Sequence, residues 1–555
     1  MFGVKKMIYS QNFREIVQDV FGGLDRRASA RNGAIADMLN MSADRYPALT
    51  VRPRRGEYAS VKKPNGFCCW DCVAWVDGTK LMIDGEEAAT LEDSKKMMVG
   101  IQRKLCIWPD KVIYDLETAE LTPMEAQWEG EAAFCDGTYA GEPALANTII
   151  ASGDLTKLFR AGDGVAVTAG VGGIEGETMG AYVLQEIEYD KTTDETELRF
   201  LEETWRRFVT ESENSGELEE GMRPFPGVGT KIGIRIQRRT PELEGMYEHH
   251  NRLWGWIGGT IFCCKLGDPT NWESFNGDAT DSWELETGSP GDITGGISYG
   301  GRPLFFKENR VIRIYGDYPG QYSTSESESL GVEAGSGKSL AIAGDTLFYK
   351  SPAGIMAYTG GYPYCISEEL GERHYKNAVA GSDGVSYYVS MERDTGDTEL
   401  LRYDTRHRVW HTEDGDKSIG MGWHGELYDL EEPGMIYILG NRRSESYGEQ
   451  GILTKVEFAD FDEGTTRKKT PGRLLLRLEI DDGTDLDVFI RYDSRGDWIK
   501  VKHFEGKLIK GQVEAVIPLR RCDHYRVRIE GNGLGGSNWT LHAVTRERSV
   551  GSNRE

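Results

Sequence analysis

Short apolar runs alternate with turn residues along most of this 555-residue chain. The runs span about four to eight residues and are rich in Val, Ile, Tyr, Phe, Trp and Thr, a composition that indicates β-strands. Between them stand repeated Asp-Gly, Gly-Asp and Gly-Gly pairs, which favour tight turns between antiparallel strands. The pattern therefore predicts an almost all-β protein.

The strand-like runs recur in units of similar length between residues 61 and 130 and again over 240–456. Each unit, such as 69–85 or 343–367, has a strand, a turn, a second strand rich in aromatic or aliphatic residues, and a further turn and strand. A period of about 40–50 residues suits one four-stranded propeller blade. We predict a β-propeller over 61–130 and 240–456; unrelated hairpins in sandwiches are the alternative.

Two further β domains are expected outside the blades. Strand-like runs at 157–170, 180–203 and 230–239 predict a small closed β-barrel over 131–239, inserted into a loop of the propeller. From residue 457 to residue 555, apolar and polar residues alternate regularly between Asp-Gly and Arg-Gly turns, which predicts a separate C-terminal β-sandwich.

The first 60 residues carry few strand-like runs and many basic side chains. We predict that residues 1–60 form an extended N-terminal assembly arm that docks on an acidic neighbour; a loosely ordered terminus is the alternative. The candidate contacts are seven arginines of this segment: Arg26, Arg27, Arg31, Arg45, Arg52, Arg54 and Arg55.

The overall charge narrows the function classes. With 90 acidic and 65 basic residues, the net charge is −25, which argues against a general nucleic-acid binder. An acidic channel wall would still let DNA pass, because it repels phosphate; solubility alone is the alternative explanation of the charge.

No apolar run reaches the roughly 18–20 residues that a membrane span needs. The nine irregularly placed cysteines indicate reduced thiols made in a cytosol.

Candidate chemistry is sparse. The sequence GSGKS at 335–339 lacks the full phosphate-loop pattern, and Cys68, Cys69 and Cys72 lack the second ligand pair of a zinc site. The carboxylates at 481–487 suit a solvated turn better than a calcium loop. We therefore expect no metal, no cofactor and no catalytic residue.

Two remaining patterns give no better candidate. His249 and His250 are adjacent, so on a strand their side chains would face opposite sides and could not jointly hold a substrate. Paired carboxylates of the glycosidase type cannot be picked out, because the chain offers so many acidic residues.

Segment 21–55 resembles the start of a bacteriophage tail nozzle or tail-stabilisation protein, with its basic arm and its Tyr-Pro-x-Leu and Arg-Pro steps. Segments 251–272, 303–316 and 351–367 are similar to propeller blades of that family. The resemblance implies a structural virion protein, not an enzyme, that forms a homo-oligomeric ring around the DNA exit channel. It also implies assembly in the bacterial host cytoplasm and contact with other tail or portal-proximal proteins.

The alternative function is a tail-tip protein that binds or degrades a host-surface glycan, since folds of this kind serve many functions. A sugar site would need exposed aromatic rings over a groove. The candidates are Trp254, Trp256, Trp272 and Trp283, although blade cores also use tryptophans.

Overall fold

The computed structural model describes residues 13–27, 30, 33–139, 142–169, 178–200, 231–439, 449, 451–465, 467–533 and 538–549. These residues fold into two compact units, Met1–Gly78 with Leu330–Glu555 and Thr79–Ser329. The predicted all-β class is confirmed, because strands dominate and the helical segments described are four 3₁₀ turns: Leu155–Lys157, Pro319–Gln321, Gly337–Ser339 and Glu368–Leu370. No helix in the described ranges has the length and apolar character required to cross a membrane.

The first unit begins with seven strands: β1 (Phe13–Gln18), β2 (Ile35–Leu39), β3 (Met41–Ser42), β4 (Leu49–Val51), β5 (Gly56–Ser60), β6 (Pro64–Cys69) and β7 (Val73–Asp77). Strands β6 and β7 form an antiparallel hairpin.

The second unit contains a hairpin and three four-stranded antiparallel sheets, each formed by consecutive strands. The hairpin and first sheet are β8 (Lys80–Ile83), β9 (Glu86–Thr90), β10 (Met97–Ile101), β11 (Lys104–Trp108), β12 (Val112–Asp115) and β13 (Glu120–Pro123). The other two sheets follow the inserted barrel described next. Sheets of this kind are propeller blades.

The inserted barrel is closed and has the strand order β14-β15-β18-β17-β16-β19. Its strands are β14 (Ala126–Tyr139), β15 (Glu142–Ser152), β16 (Gly164–Ala169), β17 (Thr178–Asp190), β18 (Glu195–Phe200) and β19 (Lys231–Arg238). It has a core of its own, built from residues such as Phe134, Ile149 and Leu198. The predicted closed barrel is thus present, and its first strand begins a few residues before the predicted boundary.

The second unit ends with the two remaining sheets, β20–β23 and β24–β27. Their strands are β20 (Gly245–His249), β21 (Arg252–Ile257), β22 (Thr260–Cys263), β23 (Trp283–Glu286), β24 (Gly295–Tyr299), β25 (Arg302–Lys307), β26 (Arg310–Tyr315) and β27 (Ser323–Glu328).

The first unit resumes with two more blades, β28–β31 and β32–β35. Their strands are β28 (Ala341–Ala343), β29 (Thr346–Ser351), β30 (Gly354–Tyr358), β31 (Tyr364–Cys365), β32 (Tyr375–Ser382), β33 (Ser386–Arg393), β34 (Thr398–Asp404) and β35 (Val409–Glu413). A third sheet combines β36 (Ser418–His424), β37 (Glu426–Glu431) and β38 (Met435–Leu439) with β5. The N-terminal region therefore supplies the fourth strand of this blade.

The C-terminal sandwich has two sheets, and strands from both ends of the chain contribute to each. Its C-terminal strands are β39 (Ile452–Phe458), β40 (Thr470–Ile480), β41 (Thr484–Tyr492), β42 (Ile499–Phe504), β43 (Ile509–Val516), β44 (Tyr525–Gly533) and β45 (Trp539–Ser549). The first sheet has the order β3-β4-β45-β40-β43, with β1 also paired to β45, and the second has the order β2-β39-β44-β41-β42. Strand β41 shows why these segments pair: Leu486, Val488 and Ile490 point into the core, and the side chains between them are less buried.

The predicted extended arm is wrong for the described part of residues 1–60. Strand β1 pairs with β45, β2 with β39, and β5 with β38. The apolar side chains of Ile35, Met38 and Leu49 are buried in one core with the C-terminal strands. Burial of these apolar groups, at roughly 25 cal/mol per Å², outweighs any tendency of the basic residues to remain extended in water.

Candidate functional site

Arg52 and Arg55 lie inside the first unit rather than on a docking surface. The Nη2 group of Arg52 donates to Glu449 Oε1 at 2.7 Å and to Asp414 Oδ1 at 2.8 Å. Arg55 Nη2 donates to Glu413 Oε2 at 3.0 Å. Burial alone would lower the pKa of Arg52, but the hydrogen bond to Glu449 and the neighbouring carboxylates raise it. Both arginines are buried, so the prediction that they are exposed assembly contacts is wrong.

Arg26 is held in the same way by Glu399, through two hydrogen bonds of 3.0 Å each. Tyr375 donates to the same carboxylate at 2.5 Å and Arg373 Nη1 at 2.8 Å. Burial opposes ionisation of Glu399, but the charge of Arg26 and these hydrogen bonds lower its pKa. Only 5% of the Arg26 side chain is exposed, so it is not an assembly contact either.

The other predicted arginines differ from one another. Arg27 forms a 2.7 Å ion pair with Asp25. Arg45 keeps 63% of its side chain exposed, so a neighbouring molecule can reach it, and its role as an assembly contact stays a prediction. Arg54 is half-buried, and Arg31 lies outside the described residues.

A pocket of about 510 Å³ opens beside the Arg26–Glu399 pair in the first unit. It is formed by the turn between β29 and β30 and by segment 366–374, which joins β31 to β32. The polar side chains that line it are Lys350, Ser367, Glu368, Glu372, Arg373, His374 and Tyr375. Its volume is that of a pocket for a small organic ligand.

Gly354 holds the two walls of this pocket together. Its φ is +136°, which L-residues with a side chain rarely adopt, and a Cβ there would lie 2.4 Å from Ser367 Oγ. Ser367 Oγ instead accepts a hydrogen bond of 2.9 Å from the backbone N–H of Ile355. The local sequence therefore fixes where segment 366–374 meets the turn.

The pocket combines a buried cation with exposed groups of both signs. Lys350 is buried, and its Nζ donates to Glu333 Oε2 at 2.8 Å and to the Ser351 carbonyl at 2.7 Å. Glu368, Glu372, Arg373 and His374 are exposed, and Ile355 and Met391 supply apolar surface. Such a mixture of donors, acceptors and apolar surface suits a polar, uncharged or zwitterionic ligand.

The GSGKS sequence does not form a phosphate cradle. Gly337–Ser339 is a short 3₁₀ turn, and Lys338 Nζ donates to the Ile419 carbonyl at 3.1 Å. Ser339 is buried, and its hydroxyl accepts from the Lys350 N–H at 2.9 Å. Within the described ranges, no group of three or more His, Cys, Asp or Glu side chains is placed to hold a metal ion.

The expectation that His249 and His250 face opposite sides is wrong. Their rings stack with centroids 3.9 Å apart, because His250 leaves the strand with a φ of +48° and begins the turn. His249 Nδ1 lies 2.7 Å from Ser298 Oγ, and burial together with His250 lowers the pKa of His249 to about 4. His249 is therefore uncharged at neutral pH.

The tryptophans proposed for a sugar groove lie mainly inside the blades. Trp254, Trp256 and Trp272 are buried, and Trp283 is half-buried against Trp254. None of the four offers a fully exposed ring, and their positions match the alternative use of tryptophans in blade cores.

Sequence reasoning missed the pocket residues Tyr375 and Lys350, and it missed Glu399, which pairs with Arg26 and Tyr375. Arg26 and Glu399 are separated by most of the chain, and no spacing rule connects them. The one available signal was the run Glu372-Arg373-His374-Tyr375 in a loop between two predicted strands, because charged loop residues on a rigid scaffold often carry function.

No protein family and no curated protein matches this chain. Solved structures do match. An exo-β-1,3-galactanase from Phanerochaete chrysosporium is 11% identical, with 54% of this chain and 96% of that chain covered and a TM-score of 0.20. A glycoside hydrolase family 43 arabinoxylan arabinofuranohydrolase from Bacillus subtilis is 10% identical, with 76% and 93% covered and a TM-score of 0.17.

Dipeptidyl peptidase 4 from Porphyromonas gingivalis is 8% identical, with 80% of this chain and 60% of that chain covered and a TM-score of 0.24. The prediction that the chain is not an enzyme is contradicted, because these three matched structures are enzymes. The low identities and TM-scores carry no argument about which reaction, substrate or residues would be involved.

Proposed function

We propose that this chain is a structural component of a bacteriophage tail and assembles with further copies of itself into a ring around the DNA exit channel. The resemblance of segments 21–55 and 251–272 to tail nozzle proteins supports the proposal. The observation that carries it is a set of exposed apolar side chains on the sandwich, with Leu508, Val516 and Leu519 exposed by 62%, 70% and 79%. Val516 ends strand β43 and Leu508 immediately precedes it, and exposed apolar groups at the edge of a sheet are typical of surfaces that pair with another chain.

The net charge of −25 fits the same proposal. A ring that surrounds moving DNA benefits from acidic walls, because they repel phosphate and prevent adhesion. Three arginines of segment 1–60, Arg26, Arg52 and Arg55, form ion pairs with carboxylates of the same chain. They therefore do not form a basic surface toward DNA.

Immunogold labelling tests this proposal. Phage particles from cells that carry the gene are labelled with an antibody against the purified chain and imaged by electron microscopy. We expect label at the tail, close to the portal. Label that is absent from particles, or found only on cell debris, would contradict a virion role.

A second candidate function is glycan binding or glycan degradation by the pocket beside Arg26 and Glu399. The observation that favours it is a 510 Å³ cavity in which exposed Glu368, Glu372 and Arg373 adjoin apolar surface. Sugar hydroxyls need this mixture of donors and acceptors, and carboxylates are the groups that glycosidases use.

Host-cell polysaccharides provide the test of this candidate. Binding is measured by calorimetry and degradation by the release of reducing ends. Arg373→Ala should weaken binding by tenfold or more, whereas Arg45→Ala, an exposed arginine of the sandwich, should leave it unchanged. Equal binding by both variants, or no binding by the unaltered chain, would remove the pocket as a glycan site.

A further inference from the structure

The first sheet of the sandwich is open at two edges. Strand β43 pairs with β40 on one side, and β1 pairs with β45 on one side. Within the described ranges no strand pairs with the other side of either. Open edges present unpaired N–H and C=O groups, which can accept a strand from another chain.

The β1 edge borders a groove of about 840 Å³. Ile16, Val17 and Val20 line it on the strand side, and Gly22 and Trp410 lie on its other walls. Val17 and Val20 are 59% and 51% exposed. The groove therefore leaves space beside β1, and its strand side carries the apolar Ile16, Val17 and Val20 together with Gln18 and Asp19.

The β43 edge has the complementary character. Its outward side chains alternate with those that enter the core, and Lys510 and Gln512 are exposed while Val513 and Ala515 pack inward. Leu508, just before the strand, continues the outward series. The edge thus offers an apolar residue and a cation side by side.

An antiparallel pairing of these two edges can align outward residues with outward residues. In one register Val17 lies opposite Leu508 and Glu15 lies opposite Lys510. Both cross-strand pairs are then favourable, one apolar and one of opposite charge. A shift by one residue would place outward side chains against inward ones.

We propose that β43 of one copy adds to β1 of the next copy in this register, so that the sheet continues from one molecule to its neighbour. This inference rests on the proposed ring and names the surface that forms it. The contact uses a different patch on each partner, and contacts of that kind generate closed rings or open filaments. The occupant of the β1 groove is therefore a second copy of this chain.

Mixed cysteine variants test the register directly. Full-length Val17→Cys and Leu508→Cys chains are prepared separately, then combined under mild oxidation. We expect a covalent dimer in the mixture and little in either chain alone, because opposed residues on paired strands lie at a distance a disulfide can span. Val516→Cys, which is more exposed than Leu508→Cys but out of register, serves as the matched partner and controls for the nine natural cysteines.

Charge reversal provides the second measurement. Glu15→Lys or Lys510→Glu should each weaken self-association in sedimentation experiments by roughly two- to fivefold, and the double variant should restore it. Thermal melting checks that these exposed substitutions leave the fold intact.

Equal cross-linking by Val516→Cys and Leu508→Cys, or additive losses in the double variant, would overturn the edge contact. Tail labelling that persists in that case would leave the proposed tail function standing, whereas unlabelled particles would remove the function itself.

Discussion

Arg52 and Glu449 form a two-pronged ion pair, with Nη2–Oε1 and Nη1–Oε2 distances of 2.7 and 2.9 Å. The pair joins the segment after β4 to the segment after β38. Arg52 also donates to Asp414, which lies between β35 and β36, and Glu449 accepts from the backbone N–H of Arg55. The N-terminal segment is thereby fixed to the body of the first unit by buried charge as well as by strand pairing.

Replacing Arg52 should destabilise the first unit strongly. In Arg52→Ala, Glu449 loses its counter-charge while Glu413 keeps Arg55, and removal of one partner of a buried ion pair typically costs about 3–5 kcal/mol. We expect the thermal transition of the first unit to fall by several degrees. Arg45→Ala, at a 63% exposed side chain, should change it little, since exposed ion pairs contribute about 0–1 kcal/mol. Similar losses in both variants would show that the buried pair has no special role.

His411 should make stability depend on pH. Burial, together with the charge of Arg402, lowers the pKa of His411 to about 3 in the folded chain. In the unfolded chain its pKa is near 6.5. Between these two values, His411 therefore binds a proton in the unfolded chain but not in the folded chain. The contribution of His411 to the free energy of unfolding is therefore complete above pH 6.5. It falls by up to about 1.4 kcal/mol per pH unit as the pH drops toward 3. Denaturant titrations of His411→Phe should show a shallower loss between pH 6 and pH 4, and an unchanged slope would exclude His411 as a source.

Gly354→Ala should damage the pocket. The new Cβ would need a φ of +136° and would lie 2.4 Å from Ser367 Oγ, so a cost of about 1–3 kcal/mol is expected. Any ligand of the pocket should bind more weakly. Gly361→Ala, where a Cβ meets no atom within 4 Å, is the matched control. Equal melting temperatures for the two variants would contradict the tight contact.

The barrel should fold on its own and be removable. Its end residues, Ala126 and Arg238, are register partners on β14 and β19, so a short linker can bridge them, and its core is separate. Excision of 126–238 should leave the rest of the chain with a cooperative melt, weakened by the loss of the hydrogen bonds between Asn271 and residues 162 and 164. A remainder that melts without cooperativity would show that the barrel is part of the blade core.

Local patterning accounts for most of the fold that could be predicted. Strands such as β44 alternate inward apolar and outward polar residues, and blades repeat their turns at a regular period, so each is visible in a short window of sequence. The pairing of β1 with β45 and of β2 with β39 is not visible in this way, because partners so distant in the chain leave no periodic signal. In residues 1–60, arginines stand between the apolar residues, so the segment did not show the strand pattern although its strands contribute to the core.

The candidate site was harder to predict for a related reason. Arg26 could be picked out as a charged residue, but its acceptor Glu399 and the adjoining Tyr375 come from the blade β32–β35, and Lys350 comes from the blade β28–β31. Their convergence depends on how the blades pack, which charge and spacing along the sequence do not specify. His250 shows the same limit on a smaller scale, since one residue with positive φ reverses the side on which a side chain lies.

The shared sandwich has a consequence for synthesis of the protein on the ribosome. Strands β1 and β2 emerge long before their partners β45 and β39, which lie several hundred residues further along the chain. At roughly 5–20 residues per second, the interval is on the order of half a minute or longer. During that time the apolar faces of Ile35, Met38 and Leu49 have no sheet to join, so newly made chains depend on chaperones or on rapid completion to avoid aggregation.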